Sequence, residues 1–354
     1  MITSSSSAMR RPIGWPSSTS APMVTWDSSN PEGAMTAPLT PEITVAELLT
    51  GAPADLDLRV IVGAEGVTRT IRSPRIQKLG LALAGFTHYV HAGRIQIVGQ
   101  SEVTFLHHLS PPERRRAIER LPWEAITCVL VTKGLTPPPE FLHAAEQHRV
   151  PVLVSSRLSS TAILKLTEFL QRILAPRRWI HGVLVEVFGI GVLLLGESGL
   201  GKSECALDLI QRGHRLVADD VVEVRAIGSD RLIGLAPERA RGHMEIRGLG
   251  ILDIRELFGV AALAEEASVD LAIAFERWDP QRAYDHLGLQ EETLRLLDIS
   301  IPLIRLPVTF WRNLTTLVEV AVRNHLLKRR GIDAMRQFVR AHDALVAGDA
   351  PESS

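Results

Sequence analysis

Cysteine is scarce in this chain: two residues among 354, Cys128 and Cys205, far apart in sequence. That excludes a disulfide framework and any cysteine-spaced metal site, and it fits a reducing, cytoplasmic compartment. Neither sign of charge is in excess: 39 basic residues face 40 acidic ones, for a net charge of −1. A nucleic-acid binder working through a basic surface is thereby set aside. No apolar run reaches the roughly 20 residues of a membrane span. The N-terminus, MITSSSSAMRRPIGWPSSTSAPM, has no apolar core of a secretory signal. What remains is ordinary for a soluble globular protein, 45% hydrophobic and 22% charged, and long enough for two domains.

Composition divides the chain. Residues 1–41 are rich in Ser, Pro, Thr and Met and are expected to be disordered, with Met35 an alternative start. An N-terminal α/β domain is expected over 42–174. Apolar runs predict strands at 58–63, 94–99, 128–134 and 150–156. Helices are expected after Pro41, around SEVTFLHHL, from Pro111 and over 137–148. The alternation of strand and helix from 94 to 156 implies some parallel pairing. This half carries no catalytic constellation, so its expected role is binding, sensing or assembly. SSTAILKLTEFLQRIL, 159–174, is amphipathic and links it to a second domain, 175–346. There strands are expected near 183–187, 191–195, 215–224 and 269–275, and a helix over 314–330. The tail, 347–354, is expected to fray.

The second domain holds the chain's most informative feature. Residues 196–203 read GESGLGKS, the full G-x-x-x-x-G-K-[ST] phosphate-loop pattern. GVLLL precedes it as a buried strand, and SECALDLIQR follows with Ala206, Leu207, Leu209 and Ile210 at helical spacing. In that setting Gly196, Glu197, Ser198, Gly199, Leu200 and Gly201 wrap backbone N–H groups around a phosphate, helped by the helix N-terminus. Lys202 reaches the β- and γ-phosphates and Ser203 is placed to ligate Mg²⁺. The cofactors implied are ATP and Mg²⁺. Cys205, in the first turns of that helix, reads as packed and inert.

Sixteen residues past Ser203 come Asp219 and Asp220. Beside a nucleotide loop, one such carboxylate orients the metal and the other takes a proton from an attacking hydroxyl. His181 lies just before the strand at 183–187. MEIRGLGILDIRELFG, 244–259, places Glu245 and Arg247 beside glycines. Two readings fit it: a loop that closes on phosphate and metal, or a charged turn between two strands.

These residues carry a resemblance. IHGVLVEVFGIGVLLLGESGLGKSECALDLIQRGHRLVADDVVEV, followed by MEIRGLGILDIRELFG, resembles bacterial HPr kinase/phosphorylase, and weaker likeness extends over about 43–340. The resemblance implies a P-loop kinase domain similar to the nucleotide domain of phosphoenolpyruvate carboxykinase. It implies phosphorylation of a serine on the phosphocarrier HPr, a reverse reaction in which phosphate gives pyrophosphate, and a homo-oligomer, usually a hexamer. It implies Lys202 and His181 as catalytic residues, Asp220 as the favoured proton acceptor with Asp219 as partner, and Ser203 and Glu245 as metal ligands. Two positions depart from the family pattern. His286 stands where the family has a catalytic arginine, with Arg282 a candidate substitute. In PVTFWRN, 307–313, Thr309 and Trp311 replace an arginine and a glycine, beside bulky Phe310, leaving Arg312. The loss of a phosphate-binding arginine points to a weakened reverse reaction. Two other readings remain open: a relative that has drifted to another substrate, and a nucleotide-gated sensor.

Overall fold

The computed structural model describes residues 39–279, 281, 292–309, 312–333 and 337. The extension expected to be disordered (up to residue 38), Arg282, His286, Phe310, Trp311 and the frayed tail lie outside the described residues.

The N-terminal half runs β1 (Ile43–Thr44), α1 (Val45–Gly51), β2 (Arg59–Val62), β3 (Thr70–Ile71), β4 (Gln77–Lys78), α2 (Gly80–Leu83), β5 (Ile95–Val98), α3 (Gln100–His108), α4 (Pro111–Glu119), β6 (Cys128–Val131), α5 (Pro139–Gln147), β7 (Val152–Val154) and α6 (Ser159–Ile173). Its main sheet has the order β2-β7-β6-β5-β4; β4 to β7 are parallel and β2 is antiparallel. Every residue of β5 and β6 is buried, as suits strands covered on both faces. Val103, Leu106, Ile118 and Phe141 pack on one face, and Val45, Leu48, Leu166 and Leu170 on the other.

The second half runs β8 (Arg177–His181), β9 (Val183–Val187), β10 (Ile190–Gly196), α7 (Lys202–Gln211), β11 (Arg215–Ala218), β12 (Val221–Ile227), β13 (Arg231–Leu235), β14 (His243–Ile246), β15 (Gly250–Asp253), α8 (Ile254–Phe258), β16 (Glu266–Ser268), β17 (Leu271–Arg277), β18 (Glu292–Leu296), β19 (Ile299–Val308) and α9 (Leu314–Arg329). Six strands, β11-β9-β10-β17-β19-β18, form one sheet, with β10, β17 and β19 parallel at its centre. A second sheet, β16-β13-β12-β8, lies against one face: Leu193 and Leu195 of β10 share a core with Ile180 of β8 and Val222 of β12. Alternate residues Val192 and Leu194 point to the other face, where Ala206 and Leu209 of α7 and Val318 and Val322 of α9 cover them. Among the described residues no helix is long and apolar enough to cross a membrane.

The strand expected over 215–224 is a correction. It is two strands in two sheets, β11 and β12, separated by Asp219 and Asp220. Asp220 turns the chain with φ of +67°, a left-handed conformation that aspartate tolerates better than most residues. β8, β13, β16, β18 and β19 had no counterpart in the sequence reading. β19 hides its pattern behind Pro302 and Pro307, which argue against a strand when met in sequence.

Gly191 is fixed by space. A Cβ on Gly191 of β10 would lie 1.6 Å from the Ser268 carbonyl oxygen. Backbone cannot move that far without parting the two sheets. Gly191→Ala is expected to cost about 3 kcal/mol, at the upper end of overpacking losses. The fall in urea midpoint, at unchanged slope, measures it.

Candidate active site

The phosphate loop begins where β10 ends. Gly196 pairs with Phe275 of parallel β17, and its φ of +141° puts any Cβ 2.6 Å from the Phe275 carbonyl oxygen. Gly199 and Gly201 both have φ of +86°, also closed to ordinary side chains. The chain then enters α7 at Lys202. The loop thus sits at the carboxyl end of a central parallel strand, at the N-terminus of the following helix, where backbone N–H groups are unpaired and the dipole favours anions.

A double crossing between the sheets builds the rest of the site. The chain leaves the four-stranded sheet at the end of β8 and enters the six-stranded sheet at β9; His181 and Gly182 are the crossing residues. It makes the opposite move from β11 to β12 through Asp219 and Asp220. The two crossings are tied: Gly182 N–H donates to the Asp220 carbonyl oxygen at 3.0 Å, and His181 pairs with Val221. Gly182 is required there because a Cβ would meet the Leu194 carbonyl oxygen at 2.7 Å. The histidine placed before a strand in the sequence reading is therefore the last residue of a different strand.

The crossing separates the two adjacent carboxylates. Asp219 is buried, 5% exposed. Its Oδ1 accepts from Ser203 Oγ at 2.8 Å and its Oδ2 from the Glu245 N–H at 3.0 Å. Burial pushes its pKa up, against those two hydrogen bonds. Asp220 turns outward, its side chain half-exposed, and meets His181 Nδ1 at 3.0 Å. The hydrogen bond from His181 holds its pKa below the ordinary carboxylate value, with a smaller contribution from Lys202. Neighbours in sequence are thus driven apart in acidity, the arrangement that assigns separate duties to two carboxylates.

Lys202 is buried, and its Nζ donates to the carbonyl oxygens of Gly196, at 2.8 Å, and Glu197, at 3.0 Å. Burial lowers its pKa, while Asp220 and Asp219 oppose that shift. A desolvated cation held on two carbonyls beneath a ring of backbone N–H groups has more to gain from an arriving phosphate than from its present partners.

Within the segment 244–259, β14 and β15 form a hairpin whose turn carries Arg247. That guanidinium lies over the loop, with Nη2 at 3.4 Å from Ser198 Oγ. Glu245 approaches the site through its backbone N–H on Asp219. Sequence reading missed Arg277, at the end of β17, whose Nε donates to Glu197 Oε2 at 3.0 Å. Its only sequence signal was position: it ends a neighbouring parallel strand as Gly196 ends β10. Behind it Arg305 of β19 pairs with buried Glu276, and with Glu292 at 2.7 Å. Cys205 is buried with its pKa pushed up to about 11, mainly by burial, so its thiol is inert.

The residues fit Mg²⁺ and a nucleoside triphosphate. The glycines leave a cradle that side chains would fill, and the Ser203 hydroxyl and Asp219 carboxylate stand together beside it. Among the described residues no three His, Cys, Asp or Glu side chains gather into a closed metal cage. Mg²⁺ suits such an open set, since it takes one or two protein ligands and completes its shell with phosphate oxygens and water.

The burial of Asp219 carries a stability cost. Between the ordinary carboxylate pKa and its raised value, the folded state holds more protons than the unfolded one. Stability therefore falls as pH rises through that window, and the ionised group destabilises the protein at neutral pH. Asparagine at 219 keeps both hydrogen bonds by donating to Ser203 Oγ and accepting from the Glu245 N–H. Asp219→Asn is expected to raise Tm by about 3 °C, roughly 1 kcal/mol, while Mg²⁺-dependent activity collapses. Scanning calorimetry at pH 7 checks it; an unchanged or lower Tm counts against a strained carboxylate.

The chain matches known proteins along nearly all of its described length. The HPr Serine kinase N terminus matches residues 43–170, and the HPr Serine kinase C-terminal domain matches residues 172–342. The HPr kinase/phosphorylase of Geobacter sulfurreducens is 46% identical over 305 residues, 86% of this chain and 95% of that protein. The HPr kinase/phosphorylase of Geobacillus thermodenitrificans is 44% identical over 293 residues, 82% of this chain and 95% of that protein. Among solved structures, the HPr(Ser) kinase/phosphatase from Coxiella burnetii is 38% identical and covers 45% of this chain and 97% of its own, with a TM-score of 0.42.

Proposed function

The chain belongs to the HPr serine kinase family, a family of protein-serine kinases and phosphorylases, and on that premise we propose that it transfers the γ-phosphoryl group of ATP to a serine of HPr, with Mg²⁺. The single observation that carries this reading is the split carboxylate pair: Asp219 on the Ser203 hydroxyl, Asp220 on His181.

ATP would supply the phosphoryl group, and Mg²⁺, when bound, would neutralise charge on its phosphate oxygens. The backbone N–H groups of residues 196–201 and the Lys202 ammonium hold the phosphates. Ser203 and Asp219 would hold the metal, with Glu245 as a further ligand. Asp220 accepts the proton of the incoming serine hydroxyl as its oxygen bonds to phosphorus and the bond to ADP breaks. In reverse it returns that proton to the serine oxygen, as phosphate takes the phosphoryl group and pyrophosphate forms. His181 orients Asp220. Arg247 and Arg277, above the loop, add positive charge facing the reacting phosphates, and His286 takes the place of the family's arginine. Assembly into a homo-oligomer, a hexamer by resemblance, belongs to the same reading, and light scattering measures it.

The test is transfer of labelled phosphate from ATP to purified HPr, with and without Mg²⁺. Mg²⁺-dependent serine labelling supports the reading; bound ATP without transfer would move it to a diverged substrate or a sensor. The reverse reaction is expected to run at least about tenfold below the forward one, because Thr309 cannot offer the two-pronged charge of an arginine. Thr309→Arg is expected to raise pyrophosphate release from phosphorylated HPr severalfold. Equal forward and reverse rates in the unaltered protein would sink that expectation.

A further inference from the structure

Asp219 comes sixteen residues after Ser203, and the chain between them makes one closed excursion. β10 and β11 are both antiparallel to β9, hence parallel to each other, and α7 is the crossover between them. The ten residues of α7 rise about 15 Å from the phosphate loop, and the four of β11 return about 13 Å to Asp219. The two ends meet where Ser203 Oγ donates to Asp219 Oδ1 at 2.8 Å. The bend at the far side is Arg212, Gly213 and His214. Gly213 takes φ of +90°, and the His214 N–H donates to the Leu209 carbonyl oxygen at 3.0 Å, a glycine-based helix stop.

Glu319 of α9 grips that bend on both sides of its glycine. Its Oε2 accepts from Arg212 Nη1 at 3.0 Å, and its Oε1 lies 3.0 Å from His214 Nε2. The hydrogen bond from His214, joined by that from Arg212, holds the Glu319 pKa below the ordinary carboxylate value. An ionised carboxylate only accepts, so His214 Nε2 carries the proton between them. His214 is itself buried, 8% exposed. Its ring meets that of Phe188, centroids 4.8 Å apart, and Arg323, one turn beyond Glu319, lies over the Phe188 ring at 4.5 Å. The start of α9 covers the other end of α7. A Cβ on Gly201 would lie 3.7 Å from Leu314 Cδ1, and Thr315 Oγ1 donates to Cys205 Sγ at 3.7 Å. α9 thus fastens α7 at both ends.

We propose that Glu319 is a positioning residue for the metal site: by holding Arg212 and His214 it fixes α7 against β11, and so keeps Ser203 beside Asp219. This rests on the reading of those two residues as metal holders given above. The apolar contacts of α7 are non-directional, whereas two charge-assisted hydrogen bonds to one carboxylate fix the bend in distance and angle. The site at the other end tolerates little slip, because Mg²⁺ demands ligands at about 2.1 Å in near-octahedral array.

The readout is the factor by which Mg²⁺ tightens ATP binding, from titration calorimetry of the full 354-residue protein with and without Mg²⁺. Glutamine at 319 offers one acceptor and turns an N–H₂ toward a donor, so Glu319→Gln releases one side of the bend. The factor is expected to fall about fivefold, less than for loss of a direct partner of a metal ligand. ATP binding without Mg²⁺ should stay within about twofold, since the phosphate loop itself is untouched. His214→Leu frees the same bend while filling the space, and is expected to show the same loss; it decides the question if Glu319→Gln does not fold. Val322→Ala thins the buried packing of α9 away from the bend, and is expected to lower Tm and leave the factor unchanged. An unchanged factor in folded Glu319→Gln or in His214→Leu, or an equal fall in Val322→Ala, overturns the proposal. If Mg²⁺ does not tighten ATP binding in the unaltered protein, the metal-site reading falls and takes the proposal with it. If the factors move as expected while HPr is not labelled, only the substrate reading falls.

Discussion

Asp220→Asn is expected to lower kcat for phosphoryl transfer to HPr by about 10³-fold, within the range for removal of a positioned base. The KM values for ATP and HPr should stay within about twofold, because the proton moves only as the reaction proceeds. The fold should survive: the left-handed φ of +67° is as open to asparagine as to aspartate, and the Asp220 carbonyl that receives the Gly182 N–H is untouched. The acidity of Asp220 adds a second readout. Held below the ordinary value by His181, it is ionised at neutral pH, the state the forward reaction needs. The reverse reaction needs its protonated form, so the ratio of reverse to forward rate should climb as pH falls, by up to about tenfold per unit. In Asp220→Asn the residual ratio should lose that contribution. Full forward activity in this variant would place the base elsewhere, and His181 would be the next residue to change.

Lys202→Ala is expected to reduce kcat/KM for ATP by about 10³-fold, the scale of a lost charge-stabilising donor in a water-poor site. Its ammonium is buried, and burial lowers its pKa. For a cation that shift means the folded state releases its proton earlier than the unfolded one. Stability therefore rises with pH between the lowered value and the ordinary lysine value of 10.5, and the charged form is a burden at neutral pH. A bound phosphate removes the burden, so nucleotide binding and folding are coupled through this residue. At ATP·Mg²⁺ concentrations about 100 times Kd the unaltered protein should gain about 2.7 kcal/mol, read as a rise in Tm. Lys202→Ala should lose most of that rise at the same concentration. A variant that keeps both the ligand-induced shift and the activity would remove Lys202 from the phosphate site.

The departures near the end of the domain were plain in sequence, because each is a comparison of residue types at one place. Thr309 has no guanidinium wherever its loop runs. The contributions of Arg277 and Arg305 were not plain. Each lies on a strand next to the loop in the sheet but far from it in sequence, about 80 and 108 residues past Glu197, and no local pattern marks which strands are neighbours.

The sequence by itself determined everything whose physics is local. Phosphate-loop glycines are needed because side chains cannot take a φ of +86° without strain, and that holds in any fold. The helix after the loop follows from apolar spacing, the buried strands of the N-terminal half from short runs rich in Val, Ile and Leu, and the capped start of α4 from Ser110, Pro111 and Glu113. Only tertiary structure decided how the two carboxylates differ. Asp219 and Asp220 are chemically alike and adjacent; their acidities part because the chain changes sheets between them. One faces Ser203, sixteen residues back, in a buried crevice, and the other faces His181, at the end of a strand in the second sheet. Desolvation and hydrogen bonding depend on what the rest of the chain brings near, and a pair of letters carries no record of that.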